Sequence, residues 1–144
     1  MELQTDCTLE LPNDLRTIER AVELLVARCR AVGFDCDRLS LNFRVSVTEA
    51  LANAMLYGNQ RDPDKHVFVD AVFTPYAVTV RVTDEGEGFD PDTLPDPTRN
   101  PHRRRPGGRG IFLIRKLMDR VEFNERGNSI TMVLEQPRQR RRAQ

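Results

Sequence analysis

The chain has 144 residues, 39% hydrophobic and 31% charged, with a formal net charge of zero. That is enough for one domain around one sizeable core, and the charge balance gives no long-range pull toward nucleic acid. No apolar run reaches the length of a membrane span, and the opening "MELQTDCTLEL" has neither the basic nor the apolar region of a signal peptide, so the expectation is a cytoplasmic protein without direct membrane or nucleic-acid partners.

Cys7, Cys29 and Cys36 are odd in number and form no C-x-x-C pair, which reads as reduced thiols. With only His66 and His102 beside them, a structural zinc site is not expected.

In chain order, "LQTDCTLEL" alternates up to Pro12 and reads as a first strand. Asn13 or Asp14 can cap a helix in which Leu15, Ile18, Val22, Leu25, Cys29 and Val32 keep helical spacing as far as Gly33. A second helix is expected from about Asp37 to Tyr57, with Leu39, Phe43, Val47, Leu51 and Met55 repeating every four residues. "HVFVDAVF" and "AVTVRVT" are β-branched alternating runs joined at Thr74–Pro75–Tyr76, a hairpin. Phe68, Phe73 and Tyr76 fall on this strand pattern without interleaved basic residues, so they read as core or edge rather than as a base-stacking platform.

A long loop follows, holding five of the nine prolines between Pro91 and Pro106. Then come "GGRG", an apolar helix "IFLIRKLMDRV", and a final hairpin turning at "ERGN". The order β-α-α-β-β-α-β-β suggests an α+β two-layer sandwich, with one mixed, mostly antiparallel sheet and its helices on one face. Residues 1–136 would form a single domain and 137–144 a basic, disordered, solvated tail.

Three clusters could carry chemistry. On the second helix Glu49 and Asn53 are four residues apart and share a face, lined by the small Ala50, Ala52 and Ala54. A neutral carboxamide oxygen suits Mg²⁺ and a carboxylate can accept a proton, although an ordinary wet helix face would look the same.

"VRVTDEGEGFDP" ends the second hairpin strand. It is no EF-hand, because the third, fifth and sixth places counted from Asp84 hold Gly86, Gly88 and Phe89. Asp84 stands at the end of a half-buried strand and must be hydrogen-bonded, by the protein or by a ligand amine. Glu85, Glu87 and Asp90 carry no such constraint.

In "RRRPGGRGIFLIRKLM", Gly107, Gly108 and Gly110 precede a helix beside Arg103, Arg104, Arg105 and Arg109, an arrangement that suits a phosphate as well as a flexible hinge. It is neither a P-loop nor the dinucleotide fingerprint, since no G-K-[ST] follows and Phe112 and Leu113 stand where glycine would be needed.

The motifs "EALANA", "DEGEGF" and "GGRGIFLIRKLMD", spread in this order, resemble those of the gyrase, heat-shock chaperone, histidine-kinase and mismatch-repair ATPase superfamily, which has the Bergerat ATP-binding fold. The short chain and the run from Gly108 to Val121 are particularly similar to the anti-sigma factor serine/threonine-protein kinases of bacteria. The resemblance implies ATP/ADP and Mg²⁺ as cofactors, a sigma factor and an anti-sigma factor antagonist protein as partners, and a homodimer.

It implies that Asp84 accepts a hydrogen bond from adenine and that Gly86 and Gly88 let the backbone pass close to the base. Asn53 would ligate Mg²⁺, Glu49 would orient or deprotonate the attacking hydroxyl, and amides around Gly108, Arg109 and Gly110 would hold the phosphates. Thr131 resembles a strand threonine near the adenine.

One departure stands out. Many relatives carry a histidine and an alanine shortly after the metal asparagine, where this chain has Tyr57, Gly58 and Asn59.

Three functions follow. The first is a kinase that phosphorylates Ser/Thr of the antagonist and sequesters a sigma factor. The second is an ATP-gated binding module in which the segment Asp90–Gly107 becomes ordered as a lid. The third, a detached histidine-kinase catalytic domain, lacks a dimerising hairpin with a phospho-acceptor histidine. The basic tail "PRQRRRAQ" could also meet an acidic partner.

Overall fold

The computed structural model describes residues 4–88 and 108–136. The expected lid, Arg103 to Arg105, Gly107 and the tail 137–144 lie outside the described residues.

Strand β1 (Thr5–Pro12) is followed by a single 3₁₀ turn and helix α1 (Ile18–Ala31). Asp14 is the cap: its extended backbone (φ −137°) lets the carboxylate accept the Arg16 N–H at 2.9 Å. Asn13, the other candidate, instead donates to the carbonyls of Met55 and Asp62. The helix stops at Gly33, whose φ of +87° turns the chain. Phe34 N–H then returns to Cys29 O and Gly33 N–H to Arg30 O, a Schellman closure that glycine permits.

The second helix is not uniform. Its α-helical centre, α2 (Arg44–Asn53), is flanked by two wide π turns, Leu39–Phe43 and Ala54–Gly58. Each π turn inserts a residue relative to α geometry, so side chains after Asn53 are rotated away from simple four-residue spacing.

Strands β2 (His66–Phe73) and β3 (Ala77–Asp84) form the expected hairpin, closed by Thr74, whose hydroxyl accepts the N–H groups of Tyr76 and Ala77. Helix α3 (Gly108–Leu117) contains Gly108 and Gly110 in its first turn rather than following them, and it ends shortly before β4 (Arg120–Phe123). The chain then turns through Gly127 (φ +78°) into β5 (Ser129–Glu135).

The five strands lie in the order β1-β2-β3-β5-β4. Every pairing is antiparallel. β4 runs in the same direction as β3, but β5 separates them, so the parallel contact of a mixed sheet does not form among the described strands.

One face of the sheet presents Val67, Val69, Ala71 and Phe73 of β2, Val78, Val80 and Val82 of β3, and Ile130, Met132 and Leu134 of β5. These pack with Leu25, Val26, Phe34, Phe43, Val47, Leu51 and Met55 into one core. Burying each such side chain stabilises the fold by roughly 1.5–3 kcal/mol. Alternate residues such as Asp70 and Arg81 point the other way and pair with each other in water.

The architecture is the α+β two-layer sandwich of the Bergerat type, with the helices on one face. Among the described residues no helix is long and apolar enough to cross a membrane. None of the three cysteines is in a disulfide, and burial pushes the Cys29 thiol up to about 12.

Candidate functional site

Two places in the fold gather polar residues distant in sequence. The first lies between α2 and α3. Gly110 is buried where α3 begins to cross α2, and a Cβ added there would stand 2.7 Å from Asn53 Nδ2 and 2.8 Å from Glu49 Oε2. Glu49, Asn53 and Gly110 are therefore brought together.

Glu49 is half-buried and its carboxylate makes no hydrogen bond or ion pair among the described residues. Gly108 and Arg109 share the first turn of α3 with Gly110, and Arg109 is exposed. The N–H groups of a first helical turn have no partner within the helix, which suits an anion. One carboxylate and one carboxamide are a sparse set of hard oxygen donors. Mg²⁺, which keeps several waters and shares its shell with phosphates, fits such a set.

The second place is built by the π turn after Asn53. That turn closes with Asn59 N–H donating to Ala54 O at 2.7 Å, and it drives Gly58 against the end of β3. A Cβ on Gly58 would collide with the Asp84 carboxylate, standing 2.8 Å from Oδ1 with other atoms closer still. Gly86 is equally confined, because its Cβ would stand 2.7 Å from the Gly58 carbonyl carbon and 2.9 Å from Asp84 Oδ1.

Within this cleft Asp84 Oδ1 accepts the Gly86 N–H at 2.8 Å. Burial pushes the Asp84 carboxyl above the usual carboxylate range, opposed by that N–H and by the positive charges of Lys65 and Arg126. A half-buried acceptor at a strand end, held from one side by its own backbone, suits recognition of an amine-bearing ring.

Gly88 serves a different contact. With φ +86° its Cβ would meet the Arg126 peptide, 2.8 Å from the carbonyl carbon, so the loop after β3 is docked on the β4–β5 turn.

Thr131 is not brought to the site. In register it stands opposite Arg81 and Glu122, on the face of the sheet away from the helices, whereas Asp84 follows Val82 onto the helix face. The residue beside Asp84 is Asn128, immediately before β5, whose main-chain oxygen accepts the Asp84 N–H at 2.9 Å.

Two residues escaped the sequence reading. Asn59 is completely buried: its Oδ1 accepts the Glu85 N–H at 2.8 Å, and its Nδ2 donates to His66 O and Asn13 Oδ1. Asn128 is the other. The run "YGN" and the turn "ERGN" mark both positions only as turn-forming.

A Bergerat sandwich with a carboxylate at the end of β3 and a Glu/Asn pair facing a glycine-started helix defines the class as an ATPase-type nucleotide-binding domain. The model of the histidine kinase-like ATPase domain matches residues 11–134, and the chain belongs to that family.

Among its relatives, serine-protein kinase RsbW of Listeria monocytogenes serovar 1/2a is 27% identical over 132 residues, covering 87% of this chain and 83% of the relative. Anti-sigma F factor of Heyndrickxia coagulans is 33% identical over 101 residues, 67% of each chain. Anti-sigma F factor of Oceanobacillus iheyensis is 32% identical over 92 residues, 60% of this chain and 62% of the relative.

Proposed function

We propose that the chain binds ATP or ADP with Mg²⁺ and transfers the γ-phosphate to a Ser or Thr hydroxyl of a small anti-sigma factor antagonist. Free of that antagonist it sequesters a sigma factor, acting in the cytoplasm as a homodimer. The observation that carries the reading is the approach of Gly110 to both Glu49 and Asn53, which sets a glycine-started helix turn beside a carboxylate and a carboxamide. The names of the relatives, a serine-protein kinase and anti-sigma F factors, support the same reading.

Asp84 accepts a hydrogen bond from the adenine amino group, and Gly58 and Gly86 keep the space around its carboxylate to backbone dimensions. Asn53 would hold the metal through its carboxamide oxygen. The first-turn amides of Gly108, Arg109 and Gly110 hold the phosphates. Bound ATP with Mg²⁺ supplies the transferable phosphoryl group and compensates its charge. Glu49 takes the proton of the incoming hydroxyl, and among the described residues no partner competes for its carboxylate. Phosphoryl transfer asks little more of a protein than positioning and charge, which this residue set can provide.

The test is incubation with γ-labelled ATP, Mg²⁺ and a lysate of the native host. Label on a small protein is the expected result, and Glu49→Gln should abolish it while ATP affinity stays within a few fold. Bound ATP that is never turned over would favour the ATP-gated binding module instead. No ATP binding at all would remove the role given to Asp84.

A further inference from the structure

Asp84 is the last residue of β3, and both of its main-chain polar groups end on one residue. Its N–H donates to the Asn128 main-chain oxygen at 2.9 Å, and its own C=O accepts from Asn128 Nδ2 at 3.1 Å. The second bond requires one orientation of the Asn128 amide. Asn124 imposes that orientation by donating from Nδ2 to Asn128 Oδ1 at 2.7 Å, leaving only the NH₂ group to face Asp84.

Asn124 is itself fixed, since its Oδ1 accepts the N–H groups of Gly127 and Ser129. On the far side of the carboxylate, Arg126 Nη2 donates to Gly86 O at 3.1 Å, so the residue whose N–H reaches Asp84 Oδ1 is tied through its following peptide to the same turn.

We infer that Asn128 is a positioning residue for base recognition: through its side-chain bond to the Asp84 carbonyl, oriented by Asn124, it aims the Asp84 carboxylate. The inference rests on the proposed reading of Asp84 as the acceptor for an adenine amino group. Fixing the peptides on both sides of a Cα fixes the direction of its Cβ, and only the side-chain torsions then remain free. A hydrogen bond weakens steeply as its angle departs from linear, so a small rotation of this backbone costs the ligand its bond while the cleft itself survives.

The experiment compares two probes by titration calorimetry with Mg²⁺ present. One is ATP, and the other is purine riboside triphosphate, which is ATP without the 6-amino group. Wild type should bind ATP about ten-fold or more tightly than the analogue, the worth of one hydrogen bond to a charged acceptor.

Asn128→Ala keeps the main-chain ladder. It should weaken ATP by about ten-fold and leave the analogue within about two-fold, collapsing the preference. Asn124→Ala frees the Asn128 amide to flip and should shift the preference in the same direction, so the test does not hang on one variant.

A wild type that does not distinguish the probes overturns the reading of Asp84 and the inference with it. A wild type that does distinguish them, with variants that keep the full preference or lose both affinities equally, overturns the role of Asn128 alone.

Discussion

Gly58 sits so tightly against Asp84 that a side chain of any size at position 58 would have to displace the carboxylate, its Cβ falling 2.8 Å from Oδ1 with Cγ and Oδ2 nearer. The two residues are joined across the helix–sheet boundary by a π turn that straight α-helical geometry would not make.

Gly58→Ala should therefore cost ATP affinity at least ten-fold while the fold survives, overpacking of this kind costing about 1–3 kcal/mol. Gly33→Ala is the matched control. Its Cβ would enter open space, but φ +87° strains it, so it should lower stability by about 1 kcal/mol without touching affinity. Thermal melts and nucleotide titrations on both variants separate the two effects.

Gly110→Ala places a methyl group 2.7 Å from Asn53 Nδ2 and 2.8 Å from Glu49 Oε2. Both are ends of flexible side chains, so they swing aside and stability should change by no more than about 1 kcal/mol. Phosphoryl transfer should fall by about a hundred-fold, because a small misplacement of positioned groups is costly. Single-turnover transfer alongside a urea melt reads this out.

Asp84 is held above the usual carboxylate range by burial, so its folded-state value exceeds its value in the unfolded chain. Between those two values the folded chain binds more protons than the unfolded chain, and stability falls as pH rises through that window. Asp84→Asn, which keeps an acceptor for the Gly86 N–H, should consequently be more stable than wild type at neutral pH. The advantage should vanish as the pH drops below the window. A higher melting temperature for wild type than for Asp84→Asn at pH 7 would refute this.

Asp119 behaves in the opposite sense. Partial burial raises it, but Arg38 donating at 2.9 Å and the Glu135 N–H at 2.6 Å together hold it below the ordinary value. Its contribution is present above the unfolded value and is lost as pH falls through the folded one. Asp119→Asn should thus flatten the acid limb of a pH–stability curve without altering nucleotide affinity.

Asn59→Ala removes three side-chain hydrogen bonds from a fully buried position and leaves the Glu85 N–H and the His66 carbonyl without their partner. A loss of about 3 kcal/mol is expected, the size typical of orphaned buried polar groups, and equilibrium urea unfolding would measure it.

The elements themselves were legible because each is a local pattern. The β2 and β3 alternation, the Asp14 cap and the Gly33 stop all act within a few residues. Asp84 could be singled out because a carboxylate at the end of a half-buried strand needs an explanation wherever it occurs.

Thr131 shows the limit. The β5 run Ser129–Glu135 is buried at five of its seven positions, so its alternation does not mark which face looks at the helices, and a shift of one residue exchanges the faces. Gly58, Asn59 and Asn128 were hidden for another reason. Their partners lie 26 residues away for Asn59 with Glu85 and 44 for Asn128 with Asp84, and no local propensity encodes such distances. The π turn that delivers Gly58 has no composition signature of its own.

The bond between Asn128 and the Asp84 carbonyl also orders events in time. A chain made from its N-terminus holds Glu49, Asn53 and Asp84 while the residue that completes the strand end is still 44 positions from being added. At about 5–20 residues per second that interval is a few seconds, long on the scale of secondary-structure formation. The strand end that holds Asp84 is therefore completed only when the last hairpin closes, after nearly the whole domain has been made.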